Sequence, residues 1–525
     1  MADADDITFY DDIEGYCGAQ SYRPGETATV HVSTRGAAFD VLVERWGASR
    51  EQVWAATEVP GAYAAPPEGA DADGCDWPVS VEIPIGVEWP SGFHLVTLRL
   101  TDGAAEGRDT AHAFFVVRPR AQRADLLLVL ATNTWNAYNT WGGASLYTGG
   151  KQVSFQRPMA RGMLCRPETE RDDRKARPTR WDEAPDPNGE IFQRYRHALG
   201  YPAAIGSSGW FSYERRFVEW AESHGYTMDY VVQADVDADP EVLDGYALVL
   251  GVGHHEYWSG PERDAVERYV GGGGHLATFS GNTMFWQVRL EPGPRGERDT
   301  MVCHKYSAHE TDPVVAAGSP EQMSGLWCDP LVGRPEWTLL GGASAFGLYY
   351  RFGQAVVRGA GAFTVYRADH WLLEGTGLGY GDLLGARDGV VGYETLGCRL
   401  QLDEFQLPVA VSLPGMPRRT EVVAYAPSSN LAMGEYPASI SALSDQGDLE
   451  FIASRLEGDT EPDTLARYRY GNAVMLVTQP YPGGGEVVTV GTTDWTFGLA
   501  ADEAVAKVTA NVLDRYLRRV GGDAP

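Results

Sequence analysis

The sequence predicts an α/β protein in which a β-sandwich precedes a doubly wound sheet that carries a β-rich insertion. Short alternating strands between Pro-Gly and Asp-Gly turns fill the first 120 residues. Continuous apolar runs, typical of strands buried on both faces, then alternate with helical patterns. Gly-rich turns and short β segments replace this alternation at about residues 301–467. We therefore expect two domains, 1–120 and 121–525, with the insertion inside the second.

The first domain is predicted from its alternating segments. Residues 26–33 and 92–100 alternate apolar and polar side chains, and the apolar run 113–117 closes the set. Such short, regularly spaced strands are typical of an immunoglobulin-like sandwich, and the fold needs no disulfide.

The second domain is predicted from strands and helices that follow one another closely. Strand, helix, strand at these lengths implies right-handed crossovers in one sheet with helices on both faces. A polar loop at about residues 161–190 interrupts the pattern and is interpreted as a lid or a surface segment. The predicted strands are 125–131, 226–232, a strand ending at His254, 275–279, 471–477 and 485–490, and the predicted helices are 210–224, 259–270 and 502–519.

Composition limits the classes of function. The formal charge of −29 argues against a nucleic-acid partner, because such binding needs clustered Lys and Arg. No apolar run reaches the length of a membrane span, and the first residues lack the features of a secretory signal, so we expect a cytoplasmic protein. Six cysteines are scattered without Cys-x-x-Cys pairs, which favours reduced thiols.

The most informative stretch is the apolar run 246–253, which leads directly into His254, His255 and Glu256. In extended backbone, His254 and Glu256 point to the same side and His255 points away. Ser259 and Glu262 have the spacing of a capping box, so they are assigned to the start of the next helix. The two histidines and Glu256 have no such structural role and are candidates for catalysis or ligand binding.

Other polar and aromatic clusters also follow predicted strands, and parallel strands place them at one edge of the sheet. Tyr138, Glu256 and Asn282 are the strongest candidates for functional residues in these clusters. Trp141, Trp286 and Trp495 are interpreted as pocket walls or packing. The clusters are residues 133–143, 254–257, 280–286 and 491–495.

Several common chemistries lack their motifs. No cysteine stands on a strand-to-helix elbow, and Gly-x-Ser-x-Gly and His-Glu-x-x-His are absent. The glycines 271–274 follow a helix, which excludes a dinucleotide fingerprint. What remains is a carboxylate and tyrosines beside an imidazole, and hard oxygen donors suit a hard cation such as ferric iron.

Seven motifs occur in order across residues 124–520. They are Tyr138-Asn-Thr-Trp-Gly-Gly143, Ser154-Phe-Gln-Arg-Pro158, Gly253-His-His-Glu-Tyr-Trp258, Gly281-Asn282, Gly375-Thr-Gly-Leu378, Gly392-Tyr-Glu394 and Gly491-Thr-Thr-Asp-Trp495. Together they resemble the large (β) subunit of N,N-dimethylformamidase. The resemblance implies a glutamine-amidotransferase-like sheet and a mononuclear iron held by two tyrosinates and a glutamate, with a small formamide as substrate.

The resemblance also implies roles for single residues. Glu256 matches the glutamate ligand and Tyr138 one tyrosine ligand, while His254, Asn282, Glu394 and Lys305 match residues of the pocket. The second tyrosine has no direct match, because Arg157-Pro-Met159 stands where relatives often have Arg-Pro-Tyr. The role could fall to Tyr147, Tyr195 or Tyr213, or to no residue. Tyr213 is interpreted as helix core, and Tyr147 and Tyr195 as surface.

The leading hypothesis is an iron-dependent hydrolase that cleaves the C–N bond of a small amide. His254 would act as a base or orienting group, and Asn282 would steady the substrate. A small subunit or a second copy of the chain is a possible partner. The alternative is a non-catalytic or carbohydrate-binding protein that keeps the scaffold. A third hypothesis uses Asp494 as a nucleophile, although a capping role suits this residue better.

Overall fold

The computed structural model describes residues 12–102, 108–122, 124–166, 201–202, 204–350, 359–436 and 447–521. Residues 167–190 of the predicted polar loop and the candidate Tyr195 lie outside these ranges.

Two antiparallel sheets form the N-terminal unit. One has the order β1-β3-β6 and the other β2-β8-β7-β4-β5, in which only the short β2 runs parallel to its neighbour. Alternate residues such as Val30, Val41 and Phe115 fill the space between the sheets. The immunoglobulin-like assignment stays a prediction. The elements are β1 Ile13–Cys17, β2 Ser21–Tyr22, β3 Thr27–Thr34, β4 Ala38–Trp46, β5 Arg50–Pro60, α1 Ala70–Asp73, β6 Val79–Pro84, β7 Gly92–Leu100 and β8 Thr110–Val117.

The strands of the second unit include every predicted sheet strand, with ends shifted by a few residues. They are β9 Leu126–Leu130, β10 Gln152–Ser154, β11 Met228–Val232, β12 Leu248–His254, β13 Tyr257–Ser259, β14 His275–Gly281, β15 Trp286–Glu291, β16 Thr300–Val302, β17 Phe363–Val365, β18 Leu383–Leu384, β19 Leu400–Leu402, β20 Pro408–Ala410, β21 Arg419–Ser429, β22 Tyr470–Gln479 and β23 Val487–Val490.

Nine of these strands form one sheet in the order β11-β9-β12-β14-β23-β22-β21-β17-β18. The first five are parallel, and the strands from β22 onward are antiparallel to their neighbours. The sheet is therefore mixed, and its parallel half contains the strand that ends at His254. The glutamine-amidotransferase-like assignment stays a prediction.

Helices cover both faces of the parallel half. Leu126, Leu128 and Leu130 of β9 share a core with the helices Glu214–Ser223 and Glu503–Gly521. Leu127 and Val129 share another core with the helix Gly260–Gly271. This two-sided burial explains the apolar runs in the sequence. The helices are α2 Thr132–Tyr138, α3 Glu214–Ser223, α4 Gln233–Ala238, α5 Gly260–Gly271, α6 Ala308–Thr311, α7 Pro313–Ala316, α8 Trp337–Leu340, α9 Asp448–Glu457, α10 Pro462–Arg469 and α11 Glu503–Gly521.

Residues 301–467, predicted as a β-rich insertion, contribute three strands to the main sheet. β17, β18 and β21 lie within residues 301–467, and they extend the sheet beyond β22. β21 pairs with β22 along most of its length, from Arg419 opposite Gln479 to Ser429 opposite Tyr470. The sequence prediction missed this because only residues 421–425 have a clear strand pattern, and pairing with the apolar β22 fixes the rest.

The two units pack through a shared core. Phe93 of the sandwich stacks on Trp210 at 3.9 Å between ring centroids. The edge strand β11 meets the sandwich, where the backbone N–H of Tyr230 donates to Ser91 Oγ at 2.8 Å. Arg45 forms an ion pair with Glu222 of α3 at 2.6 Å. The sandwich therefore covers one edge of the main sheet.

Two expectations about composition can be compared with the structure. All six cysteines lie in the described ranges, and each is a free thiol. Within the same ranges, no helix has the length and apolar character that a membrane crossing requires.

Candidate active site

The carboxyl ends of the parallel strands bring the site residues together. Tyr138 ends α2, which follows β9; His254 ends β12; Asn282 directly follows β14. Glu394 comes from the long segment between β18 and β19 and pairs with Tyr349 through the backbone. The edge thus collects side chains from segments far apart in the sequence, as expected for an open α/β sheet.

His254, Glu256 and Glu394 form a buried cluster. Nε2 of His254 lies 2.6 Å from Oε2 of Glu394 and 3.2 Å from Oε2 of Glu256. One nitrogen and two carboxylate oxygens all lie within 4.8 Å of one another, and all three residues are buried. Nδ1 of His254 lies 2.7 Å from the carbonyl oxygen of Ser207, which fixes the ring.

The charged forms of His254, Glu256 and Glu394 stabilise one another by electrostatic attraction. Burial alone would lower the pKa of His254, but the carboxylates of Glu394 and Glu256 raise it to about 10. Burial alone would raise the pKa of Glu256, but the imidazolium of His254 lowers it below its ordinary value. His255 points the other way, against Trp258, and burial lowers its pKa to about 4. The imidazole of the site is therefore His254.

Glu256 is held from several directions. The phenol of Tyr147 donates to both of its oxygens, at 2.7 and 2.9 Å. The indole of Trp286 donates to Oε1 at 2.9 Å. The backbone N–H of Glu256 donates to Thr134 Oγ1 at 3.0 Å. The carboxylate is thus fixed while one oxygen stays near His254.

The structure separates the tyrosine candidates. Tyr147, interpreted from the sequence as surface, instead reaches the site, because its hydroxyl binds a carboxylate 109 positions away. Burial, followed by the charge of Glu256, raises the pKa of Tyr147 well above its ordinary value. Tyr138 lies beside it, with ring centroids 4.3 Å apart, and its hydroxyl is 3.4 Å from that of Tyr393. Tyr213 is buried and donates to the carbonyl of Gly206 at 3.1 Å.

Asn282 is oriented by Glu394. Its Nδ2 donates to Oε2 of Glu394 at 2.9 Å, which assigns the amide and turns Oδ1 away. Among the residues that the structure describes, Oδ1 has no hydrogen-bond partner. Asn282 has a φ of 48°, a left-handed conformation that Asn tolerates better than most residues.

Lys305 adds a cation to the aromatic wall. Its Nζ lies 3.3 Å from the ring centroid of Tyr147 and 5.1 Å from that of Trp286. Nζ has no hydrogen-bond partner within the described ranges. Burial lowers the pKa of Lys305, and the charge of Glu256 opposes this. Its charge therefore lies over the ring of Tyr147.

Two residues of the site were not assigned from the sequence. Trp286 was interpreted as wall or packing, but its indole binds Glu256. Tyr393, whose hydroxyl is 3.4 Å from Nδ1 of His254, stands beside Glu394 in the Gly392-Tyr-Glu394 motif. Its position between two motif residues was the available signal.

The other two tryptophans and Asp494 have packing contacts. Trp141 packs on Trp77 of the N-terminal unit, and Trp495 donates to Thr509 Oγ1 of α11 at 2.9 Å. Asp494 precedes the short helical turn Trp495–Gly498 without a side-chain capping bond, contrary to the predicted cap. Its side chain packs against Gly392, where an added Cβ would lie 1.7 Å from Asp494 Cγ. Glycine is therefore required beside Asp494.

The chain matches the family described as N,N-dimethylformamidase beta subunit-like, C-terminal, over residues 40–509. This match begins inside the sandwich, earlier than the resemblance found at residue 124. N,N-dimethylformamidase beta subunits from Alcaligenes sp and Paracoccus aminophilus are each 24% identical over 234 residues. The aligned segment covers 42% of this chain and 29% of each relative.

Among solved structures, a family 123 glycoside hydrolase from Clostridium perfringens is 8% identical over 24% of this chain and 32% of its own. The TM-score is 0.11, which is too low to support any inference about fold or function.

Proposed function

The chain belongs to the N,N-dimethylformamidase beta subunit-like family, and we propose that it is a metal-dependent hydrolase that cleaves the C–N bond of a small amide. The observation that carries the proposal is the buried cluster of His254, Glu256 and Glu394 with the Tyr147 phenol on Glu256. Buried charges grouped in this way are costly unless they bind a ligand or one another.

The donors present fit an iron ion. Glu256, Tyr147 and Tyr138 would hold it through oxygen atoms, with His254 and Glu394 beside them or in place of a tyrosine. The contact between the Tyr147 hydroxyl and both Glu256 oxygens places two hard donors together. When bound, such a cation polarises an amide carbonyl and lowers the pKa of a bound water.

The protein groups around this position have separate roles in the proposal. His254 holds a proton at Nε2 between two carboxylates, so it serves as an acid or an orienting group for the leaving amine. Asn282, with its Nδ2 fixed on Glu394, offers Oδ1 to an N–H group. Lys305 supplies a positive charge beside developing negative charge.

Metal content and the visible spectrum of the purified protein test the proposal. We expect about one iron per chain, a tyrosinate-to-iron charge-transfer band, and hydrolysis of formamides or other small amides. Glu256→Gln should lose iron and activity. Glu336→Gln, which changes a buried carboxyl near Arg263 and Cys328, should keep both. A wild-type protein that binds no iron and hydrolyses no amide would favour the alternative, a non-catalytic or carbohydrate-binding protein.

The tyrosine ligands are tested by the same spectrum. Tyr147→Phe should weaken the charge-transfer band and lower iron affinity at least about tenfold, because loss of an oxygen donor exceeds loss of a supporting bond. Tyr213→Phe should leave the band unchanged, since its hydroxyl binds a backbone carbonyl. An intact band in Tyr147→Phe would assign the band to another tyrosine, such as Tyr138. Bound iron without any such band in the wild type would favour the set of His254, Glu256 and Glu394.

A partner subunit is a further part of the proposal. Both curated relatives are named as beta subunits, and this chain aligns with 29% of their length. We expect activity to rise when the chain is expressed with a small subunit of such an enzyme. Equal activity with and without that subunit would contradict the proposed need for a partner subunit.

A further inference from the structure

The Glu256 carboxylate is held unsymmetrically. Trp286 donates its indole N–H to Oε1 at 2.9 Å, while Oε2 lies 3.2 Å from Nε2 of His254. A carboxylate can otherwise rotate about its terminal torsion, which is broad. The indole bond to one oxygen therefore fixes the plane of the carboxylate and leaves the other oxygen facing the imidazole.

The backbone fixes the distance between the two residues. β13 and β15 are parallel neighbours with Tyr257 opposite Trp286. The backbone N–H groups of Phe285 and Trp286 both donate to the carbonyl oxygen of Glu256, at 2.9 and 3.1 Å. The main chains of Glu256 and Trp286 are thus tied together, so little backbone movement is available to separate the side chains.

The indole ring is itself clamped. Its centroid lies 4.8 Å from that of Phe285, 5.4 Å from Tyr306 and 5.8 Å from Phe451 of α9. Trp286 is fully buried, so its ring cannot turn away without displacing these aromatic neighbours. Packing thus keeps the N–H on Glu256 whether or not a ligand is bound.

We infer that Trp286 is a positioning residue whose indole N–H sets the orientation of the Glu256 carboxylate and directs Oε2 toward His254. This inference rests on the proposed function only for the use of Glu256 as a metal ligand. The hydrogen bond itself is independent of that function, and hydrogen bonds to charged acceptors are stronger than neutral ones.

The first test detects the bond without using activity. In protein labelled with ¹⁵N-tryptophan, Trp286→Phe assigns its indole resonance by loss. We expect this resonance to differ between the metal-free wild type and metal-free Glu256→Gln, because the charged acceptor becomes neutral. Trp46 provides a matched control, since its indole donates to Glu219 of α3 at 3.0 Å. Its resonance should stay in Glu256→Gln and move in Glu219→Gln.

The second test measures what the bond does. Trp286→Phe keeps an aromatic ring in the clamp but removes the donor, and we expect iron affinity, measured by competition with a chelator, to fall about 10- to 100-fold. Trp46→Phe, which removes an indole-to-carboxylate bond between the sandwich and α3, should retain wild-type affinity.

The outcomes separate the two proposals. A Trp286 resonance that does not move in Glu256→Gln, or wild-type iron affinity in Trp286→Phe, overturns the positioning role. If the wild-type protein binds no iron, the proposed function fails, and the resonance alone decides whether Trp286 orients the carboxylate.

Discussion

Gly253 is the residue that lets β12 deliver His254 to the site. Its φ is 78°, and a Cβ there would lie 2.3 Å from Cβ of Tyr213. The left-handed conformation costs a non-glycine residue about 1–2 kcal/mol, and the clash adds to this. Gly253→Ala should therefore lower the melting temperature and displace His254, with loss of activity.

Thermal denaturation and turnover of the same samples check this prediction. Gly260→Ala is the matched control, because Gly260 lies in the first turn of α5 and an added Cβ meets nothing within 4 Å. Alanine at such a position is expected to stabilise by about 0.4–1 kcal/mol. Equal behaviour of the two variants would contradict the role assigned to Gly253.

Glu336 should make stability depend on pH. Burial raises the pKa of this carboxyl from its ordinary 4.5 to about 8. The folded protein keeps a proton that the unfolded chain releases, so this contribution is complete below pH 4.5 and is lost as pH rises toward 8. Glu336→Gln cannot ionise. Its melting temperature should exceed that of the wild type more at about pH 9 than at about pH 5.

Differential scanning fluorimetry across this pH range provides the measurement. Glu404→Gln changes an exposed residue and should alter the melting temperature little at either pH. A pH-independent difference between Glu336→Gln and wild type would show that the carboxyl of Glu336 is ionised in the folded protein.

At the scale of elements, the start of α5 is fixed by its capping box. Ser259 Oγ accepts from the backbone N–H of Glu262 at 3.2 Å and donates to Asp237 Oδ1 at 2.6 Å. Ser259→Ala removes both bonds, and loss of such a cap costs about 0.5–2 kcal/mol. Urea denaturation should show this loss. Ser223→Ala, at the last residue of α3, should cost less, and a larger loss there would contradict the capping argument.

The capping box also shows which parts of the fold sequence can predict. Ser259 and Glu262 are three residues apart, so the bond between them is local, and the predicted start of α5 is confirmed. The strand ending at His254 is likewise confirmed, since burial on both faces leaves an apolar run. By contrast, α3 begins at Glu214 and not at Trp210, because residues 210–213 form a turn whose aromatic side chains mimic a helical pattern.

Contacts between distant segments were beyond the sequence pattern. Tyr147 lies outside any helix or strand, so nothing local indicates that its hydroxyl meets Glu256. Glu394 and Lys305 could be proposed only from the family resemblance, since neither directly follows a predicted sheet strand. Trp286 was noticed, but its donor role depends on the register of β13 with β15. Local signals thus indicate the sheet edge, and tertiary pairing completes the site.

At the scale of the whole molecule, the sandwich supports the site-bearing unit. Phe93 and Phe114 belong to the same core as Trp135 of α2, the helix that carries Tyr138. Ser91 Oγ accepts a hydrogen bond from the backbone of the edge strand β11, and Arg45 forms an ion pair with Glu222 of α3. A change in the sandwich should therefore be felt in the main sheet, although the two units differ in fold class.

This coupling predicts that the two units unfold together. Phe93→Ala removes a buried ring that stacks on Trp210, and a Phe-to-Ala change in a core costs about 3–5 kcal/mol. Phe115→Ala makes an equal change inside the sandwich core. Because the units share one core, calorimetry should show a single transition in the wild type and in both variants, shifted to lower temperature. A separate transition at lower temperature in Phe115→Ala would mean that the sandwich unfolds alone. The main sheet would then stay folded without the sandwich, which would contradict the predicted coupling.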